Sequence, residues 1–342
     1  MRNFKKILVI FTAILIFTAI PVFSLDGLDD LQENVNNFTK SMANSLPFNS
    51  TMGLNWSDAY IGRFIAIPPH IGVGVTTGFT TMDFGSINQL LEMFNVPLPI
   101  DVNLGGLPLP GYTADARIGG ILIPFDVGVK FGLLNIEKGF WDFFKIDNVD
   151  FTMNYRLIGF DLRYALLGSK KSPLKISLGA GFNWMDGGIS MPIPDVVPLS
   201  FKFGNYTIDL PSPGLGLNWS ARSLDFKIQA SVKVLILTPY IGFGATHAWS
   251  RAGYGLTTEE NIKINGDDID LEDIAIMDEL KDYGLAGITS RGFEHYDEVK
   301  GWSFRAFGGF SINVTFLRFD ITGMYDFLSK NYGVTFGTRF QL

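Results

Sequence analysis

The sequence contains no cysteine, only 3 histidines, and no long apolar run beyond its first residues. Without cysteine, neither a disulfide framework nor a cysteine-linked lipid anchor can form. No internal run approaches the roughly 18 apolar residues that a membrane-spanning helix requires. Acidic residues outnumber basic ones, 34 to 27, and this balance disfavours nucleic acid as a partner.

The scarcity of histidine leaves few candidates for catalysis. His247 lies on an apolar face beside Trp249 and could be paired with Ser250. A nucleophile needs a base within reach and a third group that orients the base. The sequence offers no such set, so we expect no enzymatic activity and no cofactor.

Residues 257–282 hold ten acidic residues against Lys263 and Lys281. Hard cations such as Ca²⁺ bind clustered carboxylate oxygens. The spacing within residues 265–273 does not match an EF-hand loop, however. We therefore interpret this segment as a solvated external loop and predict no metal site.

At the N-terminus, Arg2, Lys5 and Lys6 precede an apolar segment over residues 7–23. A basic start followed by an apolar stretch of this kind is typical of a secretory signal peptide, predicted here over residues 1–24. Its removal would take the formal net charge from -7 to about -10.

The next segment has apolar residues at steps of three and four, which predicts an amphipathic helix over residues 25–46. The apolar positions are Leu28, Leu31, Val35, Phe38, Met42 and Leu46. Such a helix could pack on the rim of a barrel or enter the lumen as a plug, and the sequence leaves both possibilities open.

From residue 53 onward, apolar residues alternate with polar or small ones in runs of about 10 to 13 residues. Strands of a soluble sandwich are usually near 5 to 6 residues, whereas a tilted strand needs about 10 to cross a bilayer. The pattern predicts an all-β transmembrane antiparallel barrel over residues 47–342, with a soluble sandwich as the alternative. A change of phase between Leu157 and Ile158 predicts a β-bulge there.

Four prolines mark short turns before alternating strands: Pro69, Pro124, Pro173 and Pro239. Long connections are predicted at residues 83–111, 137–149, 187–214 and 251–300. Short turns that alternate with long connections are typical of transmembrane barrels, with the long set outside. Counting hairpins gives about 12 strands, within a range of 10 to 14.

In residues 332–342, apolar side chains alternate with polar or small ones, and Phe336 and Phe340 lie on the apolar face. This pattern resembles the closing strand of bacterial outer-membrane β-barrels, in which it is the assembly signal. The resemblance implies an outer-membrane location in a Gram-negative-type envelope, contact with outer-membrane lipid, and recognition by the barrel assembly machinery. Closure would pair this strand with a first strand near residues 46–57.

The inward faces of the predicted strands carry charges of both signs, which indicates a polar lumen. The residues assigned to the lumen are Lys130, Arg163, Lys175, Arg305, Arg318, Asp320 and Arg339. Mixed charge argues against strong ion selectivity and does not fix a substrate.

The motif Gly-Leu-Asn-Trp-Ser occurs at residues 53–57 and 216–220, and Phe182-Asn183-Trp184 echoes it. Duplication of a half-barrel is one interpretation. We favour a second, in which Trp recurs because it prefers the membrane interface.

Two predicted outer connections are unexpectedly apolar, and exposed apolar patches tend to be binding surfaces. The candidate ligand-binding residues there are Leu90, Leu91, Met93, Phe94, Leu104, Leu107, Met191 and Ile193. Together with the possible plug, these loops resemble those of the long-chain fatty-acid transporter family of outer-membrane barrels. The resemblance implies that hydrophobic outer loops capture a ligand and that an N-terminal hatch blocks the lumen.

We therefore expect an outer-membrane channel for passive uptake of small, hydrophobic molecules. Two alternatives stay open from the sequence: a general porin for polar solutes, and a surface or adhesion barrel that transports nothing.

Overall fold

The computed structural model describes residues 28–67, 69–82, 107–136, 152–168, 172–192, 199–203, 206–211, 213–258, 261–268, 288–289 and 292–342. The predicted signal peptide, most of the acidic segment and most of the apolar outer connections lie outside these ranges. The one helix in the described ranges is α1, Leu28–Asn49. Among these residues, no helix combines the length and the apolar character needed to cross a membrane.

The strands of the described ranges are numbered in chain order. They are β1 Ile71–Met82, β2 Leu107–Gly119, β3 Phe125–Ile136, β4 Thr152–Leu167, β5 Leu174–Pro192, β6 Leu199–Phe203, β7 Tyr206–Leu210, β8 Pro213–Val232, β9 Leu237–Thr258, β10 Lys263–Ile264, β11 Asp267–Asp268, β12 Ile288–Thr289, β13 Gly292–Val314, β14 Leu317–Asp326 and β15 Tyr332–Gln341.

Ten of the described strands form a closed antiparallel barrel. Their order is β13-β14-β15-β1-β2-β3-β4-β5-β8-β9, and β9 pairs with β13 to close the ring. The predicted all-β barrel is confirmed, and its ten strands fall inside the predicted range but below the central estimate of about 12. Strands β6, β7, β10 and β11 form a separate small sheet, and β12 pairs with β13.

The closing strand β15 pairs with β1, from Gly72 opposite Gln341 to Thr80 opposite Gly333. The predicted partner at residues 46–57 is therefore wrong. Those residues are the end of α1 and an irregular segment that follows it, and the first barrel strand begins only at residue 71. The chain needs this added length because it passes through the barrel before the wall begins.

The two ends of the barrel differ. Four short connections, which join β2 to β3, β4 to β5, β8 to β9 and β13 to β14, link strand ends at one end of the barrel, which we call the short-turn end. The connections between β1 and β2, β3 and β4, β5 and β8, and β9 and β13 lie at the other, the long-connection end. The wall rises highest there on β8, β9 and β13, which have 20, 22 and 23 residues and exceed the predicted strand length.

The outward face of the barrel is apolar. Alternate residues of β4 and β14 are exposed and buried along nearly the whole strand. On the neighbouring strands β8, β9 and β13, Phe226, Phe243 and Phe304 are 48%, 54% and 45% exposed. Aromatic side chains of this size would be in contact with water if the barrel were soluble, at a cost of about 25 cal/mol per Å² of apolar surface.

The phase change near Leu157 is not a bulge. Leu157 pairs regularly with Gly132 and Met185, and the register shift in β4 lies instead between Ala165 and Leu167. Tyr155 and Leu157 are apolar residues that face the lumen, and only farther down the strand does the lumen-facing side become polar. The sequence pattern changes phase because the lumen is apolar beside Tyr155 and Leu157 and polar farther along β4.

Helix α1 enters the lumen from the long-connection end. Near that end, Tyr254 Oη donates to Asn36 Oδ1 at 3.4 Å, and farther along the helix Asn331 Nδ2 donates to Ser45 Oγ at 2.9 Å. The chain then continues toward the short-turn end, where Lys175 Nζ donates to the carbonyl of Tyr60 at 2.7 Å. Every residue from 45 to 61 is buried. We call α1 together with residues 50–67 the plug.

Candidate functional site

The centre of the seal at the short-turn end is Asp58 of the plug. Its carboxylate lies 3.1 Å from Arg339, 3.3 Å from Arg318 and 3.7 Å from Lys175. Asp58 lies outside the membrane-spanning strands. Burial alone would raise the pKa of its carboxyl, but the three surrounding cations lower that pKa well below its ordinary value. The carboxylate therefore stays ionised and binds three strands of the wall to the plug.

Charged residues of the wall pair with one another beside this seal. Arg117 contacts Asp126 and Asp161, each at 2.5 Å, and Arg163 contacts Asp126 at 2.8 Å. On the other side of the lumen, Arg305 and Asp225 are 2.6 Å apart. These charged side chains form buried ion pairs with one another, so they do not line a water-filled path through the lumen.

Wall side chains also donate hydrogen bonds to the backbone carbonyls of the plug. Lys130 Nζ donates to the carbonyls of Ser50 and Met52 at 2.6 and 2.7 Å. Gln229 Nε2 donates to the carbonyl of Trp56 at 2.7 Å. The backbone carbonyls of an irregular segment have no regular hydrogen-bond partners within the segment. The side chains of Lys130 and Gln229 supply those hydrogen bonds inside the barrel.

All ten barrel strands form a polar contact with the plug. The contacts, in ring order from β1, are Asn49 to Thr80, Trp56 to Asp115, Lys130 to Ser50, Arg163 to Asp58, Lys175 to Tyr60, Gln229 to Trp56, Tyr240 to Asn55, Thr39 to Asp297, Arg318 to Asp58, and Arg339 to Ser57. The plug is thus held by polar contacts around the whole circumference of the barrel.

The lumen toward the long-connection end is apolar instead. Four residues of α1 pack against eight buried residues of the wall, and we call this set the luminal apolar cluster. Its members are Phe38, Met42, Ala43, Leu46, Met82, Tyr155, Leu157, Met185, Leu217, Trp219, Ala221 and Ala252. Here α1 is held mainly by apolar contact, whereas residues 50–61 are held by hydrogen bonds and ion pairs.

The ladder between β2 and β3 is incomplete beside this cluster. The two strands pair only from Ala114 opposite Phe131 to Gly119 opposite Asp126, although β3 pairs with β4 along its whole length. Within these described strands, residues 107–113 pair only with β1 and residues 132–136 pair only with β4, so no ladder joins these two stretches to each other. We call this gap the seam.

Two prolines explain the seam. Pro108 and Pro110 of β2 have no backbone N–H, so they cannot donate to a ladder with β3. Behind the seam lies the plug: Asn49 Nδ2 donates to the carbonyl of Leu109 at 3.2 Å, and Met52 packs so closely on Gly111 that a Cβ there would overlap with it.

The seam lies beside the luminal apolar cluster. Leu109 of β2 and Leu134 of β3 pack against the cluster from the two sides of the gap. The buried hydroxyls of Tyr155 and Thr113 lie close by, and neither has a hydrogen-bond partner among the described residues. The site thus combines an apolar surface with two free hydroxyl groups, which suits a small amphiphilic molecule.

The structure places the seven predicted lumen residues on the inward face of the barrel. Lys130, Arg163, Arg305, Asp320 and Arg339 are buried, and Lys175 and Arg318 are partly buried. They contact the plug or each other. Of the predicted ligand-binding residues, Leu107 and Met191 lie near the long-connection ends of β2 and β5, and Leu90, Leu91, Met93, Phe94, Leu104 and Ile193 lie outside the described residues.

His247 and Ser250 do not form a site together. His247 lies on the outer face of the wall, with its ring centroid 4.5 Å from that of Trp249 and 5.0 Å from that of Trp302. Ser250 faces the lumen and donates to the carbonyl of Ala43 at 2.6 Å. Within the described ranges, no group of three or more His, Asp or Glu residues is arranged to hold a metal ion.

The interface interpretation of the repeated motif is wrong for two of its three tryptophans. Trp56 is inside the plug, where its Nε1 donates to Asp115 at 3.1 Å, and Trp219 faces the lumen from β8. Only Trp184 lies on the outer wall. The motif copy at residues 53–57 supplies the plug residues that sequence reasoning missed, and its recurrence was the signal that marked them.

A family model described as Lsa36-like matches residues 26–342, nearly the whole chain. The chain belongs to the Lsa36-like family. None of the curated proteins matches the sequence. The match includes the plug, the seam and all ten barrel strands, so these features lie within the family's domain.

Similar solved structures are outer-membrane proteins. The outer membrane protease OmpT of Escherichia coli has 10% identity and a TM-score of 0.38, with 80% of this chain and 97% of that chain covered. The translocator domain of the autotransporter NalP of Neisseria meningitidis has 9% identity and a TM-score of 0.38, with 89% and 98% covered. A Pseudomonas aeruginosa FadL homologue has 7% identity and a TM-score of 0.23, with 79% and 89% covered. Likenesses this weak carry no argument about function.

Proposed function

We propose that this protein is a non-catalytic barrel of the bacterial outer membrane through which small hydrophobic molecules pass by a lateral route. A molecule enters at the long-connection end, crosses the luminal apolar cluster beside α1, and leaves through the seam into the bilayer. The observation that carries the proposal is the seam itself, which lies beside the apolar part of the lumen.

The membrane location is supported by the outward apolar face and by the closed ring of strands, in which β2 and β3 remain paired over residues 114–119 and 126–131. Outer-membrane lipid would contact the large exposed side chains of β8, β9 and β13. Strand β15, at the C-terminal end of this sequence, would be the element that the barrel assembly machinery recognises.

The lateral route follows from the contrast between the two halves of the lumen. Toward the short-turn end, buried ion pairs around Asp58 exclude an apolar molecule and seal the exit. Toward the long-connection end, the wall of the lumen is apolar and has a gap at the seam. An apolar molecule that enters from above therefore has only the lateral way out.

A cross-link across the seam tests this route, and the absence of native cysteine makes the experiment clean. Tyr112 and Leu133 face outward on either side of the gap and would be opposite each other if the ladder continued. In Tyr112→Cys/Leu133→Cys, oxidation should reduce uptake of a labelled fatty acid into proteoliposomes to the level of empty vesicles, and reduction should restore it.

The matched control is Phe131→Cys/Ile158→Cys, because these residues already pair in the complete ladder of β3 and β4. Its oxidation should leave uptake unchanged. Uptake by the native protein no faster than in empty vesicles would refute transport, and full uptake by the cross-linked seam variant would refute the lateral route.

A second candidate is a surface barrel that transports nothing and binds through its long-connection end. It is favoured by the polar contacts between the plug and all ten strands, and by the tall wall of β8, β9 and β13. It predicts no fatty-acid uptake, and it predicts loss of adhesion when residues 257–282 are deleted while the barrel still folds.

A further inference from the structure

Basic side chains are unevenly distributed on the outer wall. Four of them, Arg156, Arg222, Arg251 and Lys300, lie on the outward faces of β4, β8, β9 and β13. The outward faces of β14, β15, β1, β2 and β3 carry no Lys or Arg among the described residues. A chain with a net charge of -7 thus concentrates positive charge on one side of its wall.

These four side chains are cross-strand neighbours. Arg222 lies between Trp184 and Trp249 in the ladder, and Trp249 is opposite Lys300. Two residues farther along β9 from Trp249, on the same outward face, Arg251 is opposite Ser220. Its Nε donates to the Ser220 hydroxyl at 3.1 Å. Because adjacent strands are about 4.8 Å apart, the cations form one continuous surface.

Aromatic rings hold the cations in place. The guanidinium groups of Arg156 and Arg222 lie 5.5 and 5.9 Å from the ring of Trp184, and Lys300 Nζ lies 5.8 Å from the ring of Trp249. Each tryptophan is 42% exposed. Cation-π contact fixes these flexible side chains on the wall without neutralising their charge.

Carboxylates balance only part of this charge. Asp186 pairs with Arg156 at 3.0 Å, and Glu298 is opposite Arg251 in the ladder. Arg222 and Lys300 have no carboxylate opposite them in the ladder; their cross-strand partners are tryptophans. The patch therefore keeps net positive charge.

The patch lies where the apolar outer wall ends. On β8, the outward residues that follow Arg222 toward the short-turn end are the apolar Leu224, Phe226 and Ile228. Toward the long-connection end, the next outward residue is the polar Ser220. In a bilayer this is the depth of the lipid headgroups at the long-connection end. A cation fixed at that depth meets phosphate groups, because phosphate is the anion of membrane lipids and guanidinium binds it well.

We propose that Arg156, Arg222, Arg251 and Lys300, with Trp184 and Trp249, form a binding site for the headgroup of an anionic phospholipid. The proposal needs the barrel to lie in a membrane, but it does not depend on transport. The tryptophan rings contact the upper part of the acyl chains, and the cations bind the phosphate.

The test is lipid binding by the full mature chain, purified in an uncharged detergent and followed by native mass spectrometry. The probes are phosphatidylglycerol, phosphatidylcholine and inorganic phosphate. We expect phosphatidylglycerol to be retained in preference to phosphatidylcholine, and retention to fall as salt is raised. Arg222→Gln/Lys300→Gln should lose about fivefold in affinity for each charge removed.

Lys330→Gln is the control, since Lys330 is an exposed cation in the turn between β14 and β15, outside the patch. It should bind phosphatidylglycerol like the native chain. If the double variant does not fold, Arg251→Gln alone should still show about a fivefold loss. Equal binding by variant and native chain, equal retention of phosphatidylcholine, or displacement by inorganic phosphate at matching concentration would each overturn the proposal.

Discussion

At the scale of single residues, Asp58 is the group on which the seal depends. It lies among three cations from three strands; Asp58 and Arg339 are buried, and Arg318 and Lys175 are partly buried. Removing one partner from a buried ionic network costs far more than the network contributes, because the remaining charges are left without compensation.

We expect Asp58→Asn to lower the free energy of unfolding by about 3 to 5 kcal/mol. Denaturant titration of the barrel in detergent measures this change. The control is Asp186→Asn, in which the lost pair with Arg156 lies on the outer wall, where an exposed pair contributes about 1 kcal/mol or less. Equal effects of the two substitutions would show that Asp58 has no special role.

Gly53 is needed for the turn that follows α1 in the plug. It has a φ of +76°, and a Cβ there would lie 2.5 Å from Thr113 Oγ1. Gly53→Ala should therefore destabilise the barrel by about 1 to 3 kcal/mol, through strain and overlap together. Gly301→Ala is the control, because a Cβ at Gly301 meets nothing within 4 Å. A similar loss of stability in both variants would contradict this account.

At the scale of elements, the two parts of the plug are held by different forces. Residues 50–61 are fixed by polar contacts, whereas α1 packs through the apolar side chains of Phe38, Met42 and Leu46. Apolar contact is not directional, so an apolar ligand can replace the helix surface at little cost. The proposed route therefore requires α1 to move when a ligand enters.

A cross-link from α1 to the turn between β14 and β15 tests that step. Ser45 and Asn331 are within hydrogen-bond distance, 2.9 Å. In Ser45→Cys/Asn331→Cys, oxidation should reduce fatty-acid uptake severalfold, and a reductant should restore it. Unchanged uptake in the oxidised protein would show that α1 stays in place during transport.

The sequence predicted the barrel because alternation over long strands is a strong local signal. The alternation did not show whether an apolar face contacts lipid outside the barrel or the plug inside it. Tyr155 and Leu157 are apolar because α1 lies against them, and an apolar lumen produces the same pattern as a lipid-facing wall. The supposed bulge in β4 and the misplaced first strand both follow from this ambiguity. The seam could be recognised only from the strand pairing, although Pro108 and Pro110 already marked positions that cannot donate to a ladder.

At the scale of the whole molecule, the structure is a plugged barrel whose ladder is incomplete between β2 and β3. The seal depends on the plug, because the wall alone encloses a lumen lined by Arg163, Arg305, Arg339 and their partners. Deletion of residues 28–61 should leave those charges facing water. That variant should therefore conduct ions in a planar bilayer, and the native chain should not.

The most direct test of the account compares two solutes in one set of proteoliposomes. A labelled fatty acid and labelled sucrose are followed together, with the native chain, with the deletion of residues 28–61, and with empty vesicles. With a plugged lumen and a lateral route, the native chain should pass the fatty acid but not sucrose, and the deletion variant should pass both. Passage of sucrose through the native chain, or no passage of the fatty acid above the level of empty vesicles, would contradict this expectation.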